Sequence, residues 1–265
     1  MTQETAVRAA ASLAEVRRTG VRIDGLPDGL KPTSLAEAYA IQDAYVPMIL
    51  ELSGGTRAGY KAGATAEAPQ QMFGLEAPFR GVLLTPFIHQ SPAEIPADAC
   101  FMRVLEAEFA FRMADDLPPA AAPYDLDAVA GAVGALLTSI EVVDLRYSTG
   151  MQAGGLQVIA DNGGGGHWVQ GNEVADWSAI DLDDYPVSLS INGTVVQQGN
   201  SANVLGNPLN SLAWLANDLC MAGGGLRAGD IVTTGTCTAP TPAEPGDEAV
   251  ADFGDLGQVT VRFGA

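Results

Sequence analysis

The sequence predicts an α+β fold: a small helical N-terminal region (residues 1–57) followed by a β-rich domain (residues 58–265). Three observations carry this reading. Apolar residues in the first 55 positions recur at helical spacing. Beyond residue 56, runs rich in branched and aromatic residues, bounded by Gly, Pro and Asp, predominate. These runs do not alternate regularly with helical segments, which argues for a mixed or antiparallel sheet over a doubly wound one.

Residues 4–18 place Val7, Ala10, Ala11, Leu13 and Val16 at helical spacing. A turn at Gly25–Gly29 follows. Ser34 with Glu37 forms a capping-box pattern ahead of Leu35, Ala38, Ile41, Tyr45 and Met48. Pro47 is expected to kink or split that helix. Residues 79–88, 101–113, 136–146, 185–198, 230–235 and 258–263 read as strands, with a shorter strand-like run at 58–63. Asn192-Gly193 is a hairpin turn signal inside the fourth of these. Helices are expected at 125–137 and 208–222, the second opened by Asn207-Pro208 and closed by Gly223–Gly225. Residues 114–123 read as a surface loop.

A formal net charge of −19 disfavours nucleic-acid partners and anionic membranes. No apolar run is long enough to span a bilayer. Cys100, Cys220 and Cys237 are too few and scattered for a disulfide framework or a zinc knuckle. With no secretory pattern evident near residue 1, a cytoplasmic location is expected. An anionic ligand would need a local positive source within so acidic a chain.

The chemistry concentrates in Phe101–Arg112. On a strand, residues two apart share a face. Glu106 and Glu108 therefore point together, while Leu105, Ala107, Phe109 and Phe111 point into a core. The pair alone also suits a solvated face with Arg103 and Arg112 as partners. Glu141 shifts the balance, because a carboxylate among Ile140, Val142 and Val143 is costly to bury without a charge partner. Three converging carboxylates give an all-oxygen donor set of the kind that holds Mg2+ or Mn2+. Lys61, in Ala58-Gly-Tyr-Lys-Ala-Gly63, is a second candidate cation; an ordinary surface lysine reads the same way. The tract Asp161-Asn162-Gly-Gly-Gly-Gly166-His167 reads as a mobile loop or a backbone cradle, and fails the dinucleotide spacing. His89 and His167 are the only histidines, so a histidine-ligated metal or a Ser/His/Asp triad has few members to draw on.

Taken together, Gly59–Gly63, Glu106-Ala-Glu108, Glu141-Val-Val-Asp144-Leu-Arg146, Ala160-Asp-Asn162 and Gly199–Pro208 occur in a diagnostic order. With Trp214–Asn217, Leu226–Asp230, Thr234-Gly-Thr236 and Leu256-Gly257, the chain resembles the 2-keto-4-pentenoate hydratase / 4-oxalocrotonate decarboxylase family of the fumarylacetoacetate hydrolase superfamily. The resemblance implies a strongly curled mixed sheet. It implies a divalent metal on Glu106, Glu108 and Glu141, a catalytic lysine at Lys61, and pocket positions at Thr236, Asn162 and Ser201. Asp144 and Arg146 would brace the site. It also implies a homo-oligomer, with complexes between hydratase and decarboxylase chains known in the family. Where family hydratases read Pro-Asp-Phe-Gly, this chain reads Ala77-Pro78-Phe79-Arg80-Gly81; Arg80 is then expected to bind a second substrate carboxylate. No His precedes His89, which counts against the C–C bond hydrolases of the superfamily.

The implied activity is a metal-dependent hydro-lyase of aromatic catabolism. It would add water to a 2-hydroxy-2,4-dienoate to give a 4-hydroxy-2-oxo acid, the metal stabilising an enolate and Lys61, its pKa lowered, shuttling protons. Two alternatives stand beside it: a decarboxylase of a 2-oxo diacid, and a non-catalytic partner subunit.

Overall fold

The computed structural model describes residues 1–265. Two helices open the chain, α1 (Gln3–Thr19) and α2 (Leu35–Ser53). Thr2 caps α1, and Gly20 ends it at φ 72°. The face α1 buries is Ala6, Ala9, Ala10, Leu13 and Val16, so Val7 lies outside, 40% exposed. The Ser34 hydroxyl accepts from Glu37 N at the start of α2, and the Glu37 carboxylate reaches back to Thr33 N. That satisfies the first-turn donors as a capping box does. Pro47 does not split α2, which runs as one helix with Ile41, Tyr45 and Ile49 buried along it.

The remaining elements in chain order are β1 (Arg57–Gly63), α3 (Glu67–Phe73), β2 (Phe79–Leu84), β3 (Ile88–Gln90), β4 (Ala93–Ile95) and β5 (Val104–Met113). Then come α4 (Leu126–Gly131), β6 (Val133–Val143), α5 (Gly155–Ala160), β7 (Gly165–Val174), β8 (Pro186–Ile191), β9 (Thr194–Asn200) and α6 (Pro208–Met221). The chain closes with β10 (Ile231–Thr236), β11 (Thr241–Pro242), β12 (Glu248–Asp252) and β13 (Gln258–Phe263).

One mixed sheet runs β2-β1-β10-β5-β6-β7-β3, with β11 also on β5; a second runs β4-β13-β12-β8-β9. The first curls into a half-barrel. Parallel pairs (β1 with β10, β3 with β7) sit among antiparallel ones. The main core fills the space between the sheets: Leu105, Ala107, Phe109 and Phe111 of β5 meet residues of β8, β12 and β13. The other face of the large sheet lies toward α1 and α2, which share a second core with Phe79, Leu84, Leu145, Tyr147 and α5.

The expected helix at 125–137 is cut to α4. Residues from Val133 onward pair instead with β5, where Leu136 and Leu137 oppose Phe111 and Ala110. The expected strand 185–198 is a hairpin: Asn192 and Gly193 take φ 51° and 76°, the doubly positive pair a two-residue turn requires. The strand expected over 136–146 ends at Val143, because Asp144 N bonds to Gly164 O and the chain turns away. The Gly tract opens β7. A Cβ at Gly166 would lie 2.4 Å from Val142 O, so the approach of β7 to β6 there admits only glycine.

Candidate active site

The antiparallel register of β5 and β6 sets Glu106 directly opposite Glu141, with Glu108 two residues along on the same face. The three carboxylates offer oxygens that all lie within 4.8 Å of one another. Glu108 is fully buried and Glu141 nearly so, whereas Glu106 borders a cleft. The Thr233 hydroxyl of β10 donates to Glu108, and Lys61 Nζ donates to Glu141. The second oxygen of each, Glu108 Oε1 and Glu141 Oε2, is buried with no hydrogen-bond partner. Buried carboxylate oxygens without donors are costly. They are where a cation would bind.

Lys61 stands on β1 between Gly81 of β2 and Thr233 of β10. Its ammonium also donates to Gly163 O at 3.0 Å. Asn162 and Gly163 both adopt positive φ, 53° and 63°, and this left-handed pair turns the carbonyl toward Lys61. The Gly tract is therefore a backbone cradle for the lysine. A Cβ at Gly81 would fall 2.8 Å from Lys61 Cγ, so glycine there makes room for the side chain.

Electrostatics follow from burial. Desolvation, then Glu141, pushes Glu106 up to about 7. Glu108 is raised well above the carboxylate range by desolvation first, then by Glu141 and Glu106. Burial pulls Lys61 down, but Glu141, Glu106 and Glu108 together outweigh it and leave its pKa raised. The sequence reading lowers this pKa through a bound cation together with burial; burial acts in that direction here, and the three carboxylates around the ammonium outweigh it. With all three ionised, the carboxylates would carry two more negative charges than the one ammonium balances, the charge of a divalent cation.

Glu106 takes up a proton on folding, since its pKa is 4.5 when unfolded and about 7 when folded. Its contribution to stability is full below pH 4.5 and is lost as pH rises toward 7. His167, lowered to about 4 by burial and by His89, acts with the opposite sign as pH falls from 6.5. The difference between wild type and Glu106→Gln, both metal-free, isolates the carboxylate. The variant is expected to gain relative stability from pH 4.5 to 7 in urea titrations; parallel curves would contradict the burial of this charge.

The other sequence-predicted positions divide. Thr236 borders the cleft, its hydroxyl donating to Thr238 O at 2.9 Å. Asp144 accepts from Phe101 N and Met102 N, and pairs with Arg146 at 3.3 Å. Arg146 also donates to Asp161 at 3.1 Å. This buried chain fixes the exit of β6 just beyond Glu141. Asn162 exchanges both amide hydrogen bonds with Val82, clamping the tract to β2. Ser201 is fully buried, accepts from Tyr185 N and does not border the cleft. Arg80 is a correction. On β2 it alternates away from Phe79 and Gly81, stacks 3.8 Å over the Tyr39 ring and pairs with Asp218 of α6. It is not among the cleft residues. Arg80→Ala is expected to destabilise the fold by ~1–3 kcal/mol and to lower activity on mono- and dicarboxylic substrates alike, as a melting curve and paired assays would read.

Gly163 lies within the tract that the sequence marked as a loop or cradle, whereas Thr233 was missed. Its place in the strand-like run 230–235, two residues before Gly235, is the only sequence signal that pointed to it.

The cleft in front of Glu106 and Lys61 measures about 530 Å³. No helix is long and apolar enough to cross a membrane.

Residues 81–263 match the fumarylacetoacetate (FAA) hydrolase C-terminal family. A TodF product hydratase of Pseudomonas putida (strain F1) is 32% identical over 262 residues, 97% of this chain and 95% of that one. A 2-oxo-hept-4-ene-1,7-dioate hydratase of Escherichia coli is 30% identical over 236 residues, 87% of each chain. The solved 4-oxalocrotonate decarboxylase from Pseudomonas putida G7, complexed with magnesium and adipate, superposes with a TM-score of 0.92 at 28% identity, covering 99% of this chain and 98% of its own. With a family match over most of its length and relatives of this identity spanning nearly all of it, the chain belongs to the fumarylacetoacetate hydrolase family.

Proposed function

We propose that the protein is a metal-dependent hydro-lyase that adds water to a 2-hydroxy-2,4-dienoate, through its 2-oxo tautomer, to give a 4-hydroxy-2-oxo acid. The observation that carries this reading is the trio of carboxylates with two orphaned, buried oxygens, standing beside a buried lysine at the end of a cleft. The donor set fits a divalent ion in charge and oxygen chemistry. Glu106, Glu108 and Glu141 would hold it; the solved decarboxylase relatives are complexed with magnesium or calcium. When bound, the cation supplies Lewis-acid polarisation of the substrate's 2-oxo and carboxylate oxygens.

The chain's own groups supply the rest. Lys61 is the only cationic side chain bordering the cleft. Its Nζ carries the proton delivered to, and withdrawn from, the substrate carbon chain during tautomerisation. Gly163 O and Glu141 hold that ammonium in place, so the proton moves along one fixed direction. Thr236 offers a hydroxyl on the cleft wall.

A decarboxylase of a 2-oxo diacid shares this chemistry as far as the enolate and is the second reading, since relatives bear that name. The cleft favours the first, because Lys61 is its sole cation and Arg80 lies elsewhere. A non-catalytic partner subunit is disfavoured by retention of all three carboxylates and Lys61. The test is purified chain with Mg2+ and 2-hydroxypenta-2,4-dienoate. Formation of the hydroxy-oxo acid, abolished by EDTA, is expected. Release of CO2 from 4-oxalocrotonate without hydration would install the second reading, and no turnover of either would install the third.

A further inference from the structure

We infer that the apolar wall of the cleft is a subsite for an apolar substituent, so that the preferred substrate is a monocarboxylate with an extended alkyl or aryl tail rather than a dicarboxylate. The inference rests on the hydratase reading for the position of the acid head, and goes beyond it by assigning the tail.

The cleft lining combines one charged pair, Lys61 and Glu106, with an apolar wall. That wall is formed by Met72 and Phe73 of α3, Phe79 of β2, Met151, Val158 of α5, and Pro240. Phe73 and Phe79 pack edge to face, with ring centroids 6.3 Å apart. The polar side chains on the wall are threonines and Asn203, which are uncharged, and no Arg, Lys or His other than Lys61 borders the cleft. A second carboxylate placed against this wall would lose its water with no second cation to meet it, in a chain of net charge −19. An alkyl or aryl group would instead displace water from methionine and phenylalanine surface. At about 530 Å³ the cleft is in the size range of sites that enclose ligands much larger than a five-carbon acid.

Met72 and Met151 are the residues expected to set tail preference. Met72 is 63% exposed on α3, so substitutions there leave the core intact.

The test separates head from tail. Binding of unreactive saturated 2-oxo acids to the Mg2+-loaded protein is measured by calorimetry, comparing 2-oxopentanoate, 2-oxooctanoate and 2-oxo-4-phenylbutanoate with 2-oxoadipate. Affinity is expected to rise by about twofold to fourfold per added methylene, and 2-oxoadipate is expected to bind at least about tenfold more weakly than 2-oxooctanoate. Met72→Arg is expected to reverse that preference by about tenfold. Equal or tighter binding of 2-oxoadipate, or affinity that falls with tail length, overturns the subsite. Turnover of 2-hydroxypenta-2,4-dienoate, run alongside, reports on the hydratase reading alone: its absence together with tail-dependent binding would sink the chemistry and leave the subsite standing.

Discussion

Glu108→Gln is expected to abolish divalent-cation binding and lower turnover by about a thousandfold, while raising the melting temperature of the metal-free protein. The two effects share one cause. Glu108 is fully buried, and its pKa is raised by desolvation and then by the charges of Glu141 and Glu106. Without a cation these carboxylates oppose one another in a medium that screens them poorly. Glutamine keeps the shape. Its amide oxygen still accepts from the Thr233 hydroxyl, and its amide nitrogen gains neighbouring carboxylate oxygens as acceptors. Removing one charge therefore relieves the repulsion and deletes a ligand in the same step. Calorimetric titration with Mg2+ and Mn2+ reads the first consequence, and melting in the presence of EDTA reads the second. Wild-type affinity in the variant would show that Glu108 is not a ligand. A lowered metal-free melting temperature would show that the three carboxylates do not strain the empty site.

The carboxylate trio was legible in the sequence because each half carries a local signal. Glu106 and Glu108 share a strand face by their spacing, and Glu141 is anomalous within an apolar run. Their meeting depends on register, a property of pairing between segments, and only the folded sheet sets Glu106 opposite Glu141. Arg80 was misread for the converse reason. Its partner Asp218 lies on a helix far along the chain, and only the fold reveals that the guanidinium is already engaged. β7 was hidden by its own glycines, since a tract that looks like a loop opens a strand whose backbone crowds Val142. The helix at 125–137 failed because pairing with β5 captured residues from Val133 onward, an instance of tertiary context overriding helical propensity. Strands next to turn signals fared better, since Asn192-Gly193 fixes a hairpin through backbone geometry that is local.

Lys61→Met is expected to lower kcat by about a hundredfold to ten-thousandfold without loss of metal affinity, the opposite pairing to that of Glu108→Gln. The lysine is 5% exposed and divides its ammonium between Glu141 and Gly163 O. Its charged form is held by the three carboxylates against the pull of burial. Methionine fills the same channel beside Gly81 and removes the proton carrier. In the metal-free protein it strands Glu141 as a buried charge without a partner, a loss of about 3–5 kcal/mol where a buried pair is broken from one side. A divalent cation should restore that stability, because Glu141 no longer shares an oxygen with the ammonium. The melting shift on adding Mg2+ is therefore expected to be larger in Lys61→Met than in wild type, and absent in Glu108→Gln. A lysine that only props up the fold would behave differently: turnover per folded, metal-loaded molecule would stay within tenfold of wild type. That result would move the proton transfer to another group on the cleft wall.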